Sequence, residues 1–236
     1  MSTPKITKIR LENFKAFQGE EEFEIKPITL IYGYNSSGKS SLLHSFLYLD
    51  EWMRSGNLDV HLPSISQGDV DLGGFDQFVN RYAVGTHGPA RFSIETLDNS
   101  DSYQISLSIG KFGGENLKIE KFEVSKNSNP YLILEVDYSE TKEICHRLKY
   151  FNLREIYSDS KDISELSEAA KYGCKIFGFG DLKKRKFRVE AEESFKEVFS
   201  EVQQTLFLGT IKGNLNFIIG LLDEAFKENS IKYLYK

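Results

Sequence analysis

A stretch of eight residues near the N-terminus holds the residue types that bind phosphate. From Gly33 to Ser40 it reads Gly-Tyr-Asn-Ser-Ser-Gly-Lys-Ser, which fulfils the phosphate-loop spacing G-x-x-x-x-G-K-S. In such a loop, backbone N–H groups surround the phosphates, the lysine reaches the β- and γ-oxygens, and the serine hydroxyl binds Mg²⁺. The stretch predicts a nucleoside triphosphate and Mg²⁺ as ligands, with Ser40 on the metal and phosphate contacts from Gly33, Ser36, Ser37, Gly38, Lys39 and Ser40.

A phosphate loop needs a strand that delivers it and a helix whose N-terminus faces the anion. Residues 27–32, Pro-Ile-Thr-Leu-Ile-Tyr, form a short apolar run that predicts a buried strand. After the loop, apolar side chains at helical spacing predict a helix packed on a sheet and ending near Arg54; they are Leu42, Leu43, Phe46, Leu47, Leu49 and Met53. The alternative is a Gly/Ser turn that only resembles the motif.

Composition places the chain among ordinary globular proteins. It has 236 residues, 40% of them apolar and 13% aromatic, which is enough for one large or two small domains with a core. The net charge of −5 gives no global attraction to nucleic acid, so any DNA contact must be local. Cys145 and Cys174 form no C-x-x-C pair, which excludes a zinc ribbon or a disulfide scaffold. We find no signal core and no apolar run of membrane-spanning length, and expect a cytoplasmic protein without membrane contact.

The pattern of apolar residues predicts two regions. Residues 1–140 read as strands around the loop, starting with 6–14 and 23–25, then a glycine-rich loop over 62–74. Four alternating segments follow and predict an antiparallel meander, at 92–94, 103–109, 117–119 and 132–136. Residues 141–236 read as mainly helical, with one amphipathic helix over 195–206 and another over 215–226. The fold class is therefore α/β, or α+β.

One basic run lies between the meander and the last helices. It reads Asp-Leu-Lys-Lys-Arg-Lys-Phe-Arg-Val over residues 181–189. Clustered cations bind a phosphate backbone without sequence preference, so this run predicts a DNA contact through Lys183, Lys184, Arg185, Lys186 and Arg188. The alternative is a solvated strand or hairpin with Phe187 and Val189 inward.

The N-terminal motifs together resemble the start of SMC-like, ABC-head-type AAA ATPases. The resemblance is carried by Ile-x-x-Ile-Arg-Leu-Glu-Asn-Phe-Lys over 6–15, the apolar run 28–32, and Gly-Tyr-Asn-Ser-Ser-Gly-Lys-Ser-Ser over 33–41. The branch it resembles most is the overcoming-lysogenization-defect (OLD), antiphage-defence and DNA-repair group, whose "v-D-L-G-S-F" stretch is similar to residues 70–75. The resemblance implies a P-loop ATPase lobe with a mixed sheet, an antiparallel β-subdomain and a C-terminal helical region, binding ATP and Mg²⁺.

The same resemblance implies roles for residues outside the core of the motif. Asn35 and Ser41 would contact the nucleotide, and Lys15, which follows the Asn-Phe strand, would approach it. Gln67 would be a Q-loop residue that senses Mg²⁺ and the partner subunit. For Lys15 a surface lysine at a strand end, and for Gln67 an ordinary polar loop residue, are the alternatives.

The second half of such an ATPase is not recognisable in the chain. Residues 217–224, Phe-Ile-Ile-Gly-Leu-Leu-Asp-Glu, have the letters of a Walker B strand, but the apolar spacing continues past Asp223 and Glu224 and predicts a helix. We find no signature sequence or switch histidine, and we assign no catalytic residue. The chain is expected to be an N-terminal half that binds ATP and hydrolyses it slowly or not at all alone.

These observations leave alternative functions. The first is an ATP-binding module that dimerises, or forms a larger homo-oligomer, with nucleotide and gates a DNA-directed or defence effector. The second is a split or truncated subunit whose ATP site is completed by a partner chain. A P-loop kinase is the third, and it is disfavoured because a β-meander follows the loop where a kinase has a helical lid.

Overall fold

The computed structural model describes residues 3–56, 58, 75–80, 88–112, 116–138, 144–152, 173–179 and 187–228. These residues form one nine-stranded antiparallel sheet in the order β2-β1-β3-β4-β5-β6-β7-β8-β9. The strands are β1 (Lys5–Glu12), β2 (Glu21–Glu24), β3 (Ala90–Asp98), β4 (Asp101–Phe112), β5 (Asn116–Lys126), β6 (Asn129–Asp137), β7 (Cys145–Phe151), β8 (Cys174–Phe177) and β9 (Arg188–Ala191). The helices are α1 (Lys39–Ser55), α2 (Phe75–Phe78), α3 (Glu193–Val198) and α4 (Glu201–Glu228).

The predicted meander is confirmed as β3 to β6. Alternating apolar residues face one side, and short turns reverse the chain between the strands. Asn99 adopts φ 53° between β3 and β4, while Asn127 and Ser128 adopt 49° and 67° between β5 and β6. The Asn127 side chain accepts the Ser102 N–H over 2.9 Å. Asparagine tolerates the left-handed backbone that such hairpin turns require, which explains its position at both turns.

The sheet has one apolar and one polar face. The apolar face is buried beneath the helices and includes Ile9, Leu11, Phe92, Ile94, Ile105, Leu107, Phe122, Leu132 and Leu134. Tyr48 of α1 stacks on Phe92 with ring centroids 5.3 Å apart, and Phe217 of α4 meets Tyr103 of β4 at 5.8 Å. On the opposite face, charged side chains pair with one another, for example Arg10 with Glu22 over 2.6 Å. Helices α1 and α4 therefore both pack on the apolar face of the sheet.

The sheet extends further than the sequence predicts. Strands β7, β8 and β9 fall inside the region predicted as mainly helical from residue 141, so that prediction is wrong for these described segments. The pairing of β6 with β7 also crosses the predicted boundary after residue 140. The strands have weak apolar alternation: in β7 the buried apolar residues Cys145, Leu148 and Phe151 lie three residues apart, and β8 has a single alternating pair, Cys174 and Ile176. Hydrogen bonding to the neighbouring strand, which sequence spacing does not report, decides their conformation. The predicted mixed sheet is likewise corrected, because all described strand pairs are antiparallel.

The predicted helix over 195–206 is interrupted. Helix α3 ends at Val198, Phe199 is extended, and α4 begins at Glu201. Ser200 explains the break, because the Ser200 N–H donates to Gln203 Oε1 over 3.0 Å and the Gln203 N–H donates to Ser200 Oγ over 3.4 Å. This reciprocal pair is a capping box, which starts a new helix at Ser200.

Helix α4 spans the apolar face of the sheet. Near its start Phe207 stacks on Phe195 of α3 at 5.0 Å, and the helix also contacts β9, β3 and β1. By length and composition alone, residues Glu201–Lys227 could cross a membrane, which is weak evidence because core helices meet the same criterion. This helix corrects the expectation that the chain has no apolar segment of membrane-spanning length. The inner side of α4 is buried against the sheet, as in a core helix.

Candidate functional site

The predicted phosphate loop leads directly into α1, whose predicted extent is confirmed. Gly38 precedes the helix with φ 92° and ψ 2°, a left-handed backbone that glycine adopts without strain. The Leu42 N–H donates to the Gly38 carbonyl over 3.0 Å and closes the first turn. The other N–H groups of this turn, with the positive end of the helix dipole, lie at the end of the loop. Such an arrangement binds anions.

The Lys39 ammonium folds back over the loop. Its Nζ donates to the carbonyl of Gly33 over 2.8 Å and to the carbonyl of Tyr34 over 2.6 Å. The cation therefore joins the end of the loop to its beginning. Because an ammonium carries three N–H donors, one donor remains beyond these two bonds, and it suits a phosphate oxygen.

Most side chains of the loop lie on its outside. Asn35, Ser36, Ser37 and Ser40 are exposed, and Ser36 has a left-handed φ of 65°. At Gly33, with φ 155°, an added Cβ would lie 3.0 Å from Ser37 Oγ, so the two ends of the turn are in close contact. The predicted phosphate contacts of this turn would thus come mainly from its backbone.

Ser41 faces the protein instead of the outside of the loop. It is buried, and its hydroxyl accepts the Ala16 N–H over 3.4 Å. The structure therefore places Ser41 against the turn that follows β1, over residues 13–17. Its predicted contact with nucleotide remains a prediction.

Phe17 packs against the end of the loop at Gly38. Phe17 was not predicted as a site residue from the sequence. An added Cβ at Gly38 would meet Phe17 Cε1 at 2.7 Å and Phe17 Cζ at 3.0 Å, which no real side chain tolerates without a shift. The Phe17 ring is itself buried and packs against Phe23 of β2 at 5.3 Å. Phe17 and Gly38 are far apart in sequence, so no local pattern could have revealed this contact.

Lys15 is held in the same turn by its backbone. It adopts a left-handed φ of 48°, its N–H donates to the Phe78 carbonyl over 2.5 Å, and its carbonyl accepts Asn80 Nδ2 over 2.8 Å. Strained backbone of this kind persists only where the surrounding structure enforces it. Asn80 was not predicted as a site residue, and its role appears only once α2 is placed against the turn.

The Lys15 side chain lies close to α1. Burial lowers the pKa of Lys15 below its ordinary value. The pKa of His44 is lowered first by burial and second by the positive charge of Lys15, which places the two groups near each other. His44 lies one helical turn after Ser40. The structure thus brings a second cation, Lys15, to the same end of α1 as the phosphate loop.

The segment before the loop does not form the predicted buried strand. The described structure has no strand over residues 27–32, and their apolar side chains are exposed, with 83% of Ile28, 82% of Leu30 and 91% of Tyr32 accessible. The Thr29 hydroxyl accepts the Lys26 N–H and donates to the Lys26 carbonyl, both over 3.0 Å, which turns the chain away from β2. The prediction fails because a buried strand needs a neighbouring strand. Strand β2 pairs with β1, and no described strand pairs with residues 27–32.

The remaining predicted residues divide between described and undescribed segments. Gln67 and the basic residues Lys183, Lys184, Arg185 and Lys186 lie outside the described residues. Arg188 lies in β9, paired with Glu190, and its guanidinium sits 4.5 Å above the Phe177 ring centroid. Phe187 is buried, as the solvated-strand alternative predicts.

The helical interpretation of residues 217–224 is confirmed. They lie inside α4, and Asp223 pairs with Lys227 one turn later over 2.8 Å. Leu221 and Leu222 are buried on the sheet beside them. Asp223 and Glu224 are therefore helix residues, and they do not end a buried strand as Walker B acids do.

Comparisons with known proteins agree with the motif. A family model described as an AAA domain matches residues 8–207, most of the chain. Arcadin-4 of Pyrobaculum calidifontis is 24% identical over 115 residues, which cover 49% of this chain. The match covers only 13% of the length of that relative. The matched family region includes β1 from residue 8 onward, the loop, the strands β2 to β9, and the first turns of α4.

Proposed function

Because the chain belongs to the SMC-like family of AAA domains, we propose that it is an ATP-binding module whose site is the loop from Gly33 to Ser40. The observation that supports this proposal is the Lys39 ammonium, bonded to two loop carbonyls at the N-terminus of α1. A cation and a helix N-terminus at one place favour a polyphosphate.

Each residue of the site has a proposed task. The backbone between Gly33 and Gly38 cradles the phosphates, Lys39 neutralises the β- and γ-oxygens, and the Ser40 hydroxyl binds Mg²⁺. Asn35, on the exposed side of the loop, contacts the nucleotide. Lys15, near His44 of α1, adds a second positive charge.

Nucleotide binding tests the proposal directly. We expect calorimetric titration with ATP and Mg²⁺ to show binding by the native chain, and Lys39→Ala to weaken it about tenfold or more because a charged hydrogen bond is lost. Lys26→Ala is the matched control, since Lys26 is an exposed lysine near the loop and pairs with Glu24. Equal affinities for the Lys39 and Lys26 variants would contradict the proposed site.

We further propose that ATP drives self-association, as SMC-like AAA domains often dimerise, and that the dimer gates an effector acting on DNA or in antiphage defence. Sedimentation equilibrium with and without ATP tests the first step. A mass that rises with ATP in the native chain, and not in Lys39→Ala, is expected. An unchanged mass with bound ATP contradicts gating by self-association.

A second candidate function is an interaction subunit whose ATP site a partner chain completes. The exposed run of Ile28, Leu30 and Tyr32 favours it. A partner strand that covers these apolar side chains would be stabilised by their burial. Hydrogen exchange tests the premise. Backbone amides of residues 28–32 should exchange rapidly in the chain alone, and strong protection there would contradict an uncovered strand.

A DNA contact through the basic run remains a separate proposal. It would use Lys183, Lys184, Arg185 and Lys186, together with Arg188 of β9. Gel shifts at low and high salt test it, because phosphate contacts weaken steeply with salt. Equal DNA affinity in the native chain and in a variant with these four lysine and arginine residues changed to alanine would contradict the contact.

We also propose that the chain works in a reducing compartment, the cytoplasm. Cys145 and Cys174 are buried and unlinked thiols, and such thiols persist in reducing surroundings. Fractionation of the source cells tests the location, and recovery outside the cytoplasm would contradict it.

A further inference from the structure

The outer side of α4 lacks the charged residues that a solvent-facing helix usually carries. Between Glu201 and Asp223, Lys212 is the single charged residue. The side of α4 away from most of its buried positions carries Val202, Leu206, Gly209, Gly213, Phe217 and Gly220, spaced three or four residues apart, and we call this set the outer stripe. Phe217 lies at the edge of the stripe, where its ring also contacts Tyr103 of β4. The large side chains of the outer stripe are accessible at 69% for Val202, 61% for Leu206 and 46% for Phe217.

Gly209 and Gly213 of the outer stripe have no explanation in the packing of the described residues. A Cβ added at Gly209 or at Gly213 would meet nothing within 4 Å. Each glycine inside a helix costs about 1 kcal/mol relative to alanine. Small residues four apart on one helix face let another helix backbone approach closely.

The pattern is self-complementary. If two α4 helices cross in antiparallel directions midway between Gly209 and Gly213, Gly209 of one copy meets the partner's Gly213. By the same symmetry Leu206 lies beside the partner's Phe217, and Val202 lies over the partner's Gly220. Val202 is then opposite a glycine, Leu206 and the partner's Phe217 pack side by side, and the pair has the two-fold symmetry of an isologous dimer.

We infer that the outer stripe of α4 is a contact between two copies of this chain, packed as an antiparallel helix pair that forms without nucleotide. A helix of 28 residues is about 42 Å long and about 10 Å wide. Its face supplies roughly half of the area of about 800 Å² per partner in a standard interface. The dimer is therefore weak and concentration-dependent, and it is distinct from the association that ATP would drive.

Sedimentation velocity without nucleotide tests this contact, over concentrations from about 1 μM to about 1 mM. The mass of the native chain should rise toward that of a dimer. Leu206→Glu should raise the dissociation constant about tenfold or more, because a charge enters the apolar contact. Leu97→Glu is the matched control, since Leu97 is an exposed leucine in β3, 43% accessible, away from the stripe.

A glycine variant gives a test that does not depend on a destabilising change. Gly209→Ala should stabilise the isolated helix by about 1 kcal/mol while weakening the dimer, because a methyl group holds the helices apart. The Lys39→Ala variant should dimerise like the native chain.

Other results would overturn the inference. A monomer at all concentrations, a dimer that Leu206→Glu leaves intact, or a dimer that needs ATP would each do so. Binding of phosphatidylcholine vesicles that Leu206→Glu abolishes would assign the outer stripe to a lipid surface instead.

Discussion

The contact between Gly38 and Phe17 gives a sharp test of how the phosphate loop is supported. The change Gly38→Ala adds a single methyl group at the point where the loop enters α1. That methyl group would lie 2.7 Å from Phe17 Cε1 and 3.0 Å from Phe17 Cζ. The ring cannot easily retreat, because Phe17 is buried against Phe23.

Two physical effects add in this variant. Alanine at φ 92° costs about 1–2 kcal/mol relative to glycine because its Cβ clashes in the left-handed region. Forcing a methyl group into a filled site costs a further 1–3 kcal/mol, roughly. We therefore expect the free energy of unfolding to fall by about 2–5 kcal/mol.

Urea unfolding followed by circular dichroism measures this loss, and ATP titration of the folded variant measures the effect on the site. Gly19→Ala is the control, because a Cβ at Gly19 meets nothing within 4 Å. We expect the control to change stability by less than about 0.5 kcal/mol.

A double-mutant cycle identifies the cause. Phe17→Leu removes part of the ring, so it should be less costly in the Gly38→Ala chain than in the native chain, with a coupling of about 1 kcal/mol or more. If the two changes are additive, or if Gly38→Ala costs no more than Gly19→Ala, the proposed contact does not support the loop.

Further predictions concern the buried histidine His146, the two buried cysteines, and Asp223 of α4. Burial lowers the pKa of His146 from 6.5 to about 4; because the folded pKa lies below the unfolded one, stability is complete above pH 6.5 and falls by about 3 kcal/mol toward pH 4. Urea unfolding against pH should show a smaller decline in His146→Gln, and an equal decline would contradict this cause. Burial, with a smaller effect of Glu192, raises the pKa of Cys174 to about 12, and Cys145 is also buried. Iodoacetamide at pH 8 should therefore label neither thiol until urea unfolds the chain, and rapid labelling of the folded chain would refute that burial. Asp223→Asn breaks the exposed pair with Lys227 and should reduce stability by less than about 1 kcal/mol. It should leave phosphate release from ATP unchanged, and loss of robust turnover with retained ATP binding would contradict the helical interpretation and identify Asp223 as a Walker B residue.

Local patterns predicted the parts of this protein that depend on neighbours in sequence. The loop motif led to the position of Lys39, and apolar spacing predicted α1 with an end near Arg54. Alternation of apolar residues predicted β3 to β6. The capping box at Ser200 and Gln203 was readable as well, but the apolar spacing across it concealed the break between α3 and α4.

Predictions failed where the outcome depends on a distant partner. The run over 27–32 has the composition of a buried strand, yet β2 pairs away from it and its apolar side chains are exposed. Strands β7 to β9 have weak patterns of their own, and pairing that begins at β6 carries the sheet through them.

The amino-acid sequence by itself determined the loop and the start of α1, and it predicted phosphate binding there, because the motif, its glycines and the helix start act within one turn of backbone. Only the tertiary structure decided what supports that loop and which surfaces stay open. Phe17 lies under Gly38, Lys15 is locked beside α1, and α4 turns its glycines away from the sheet. These relations join segments far apart in the chain, and they arise from packing against the shared apolar face of the sheet.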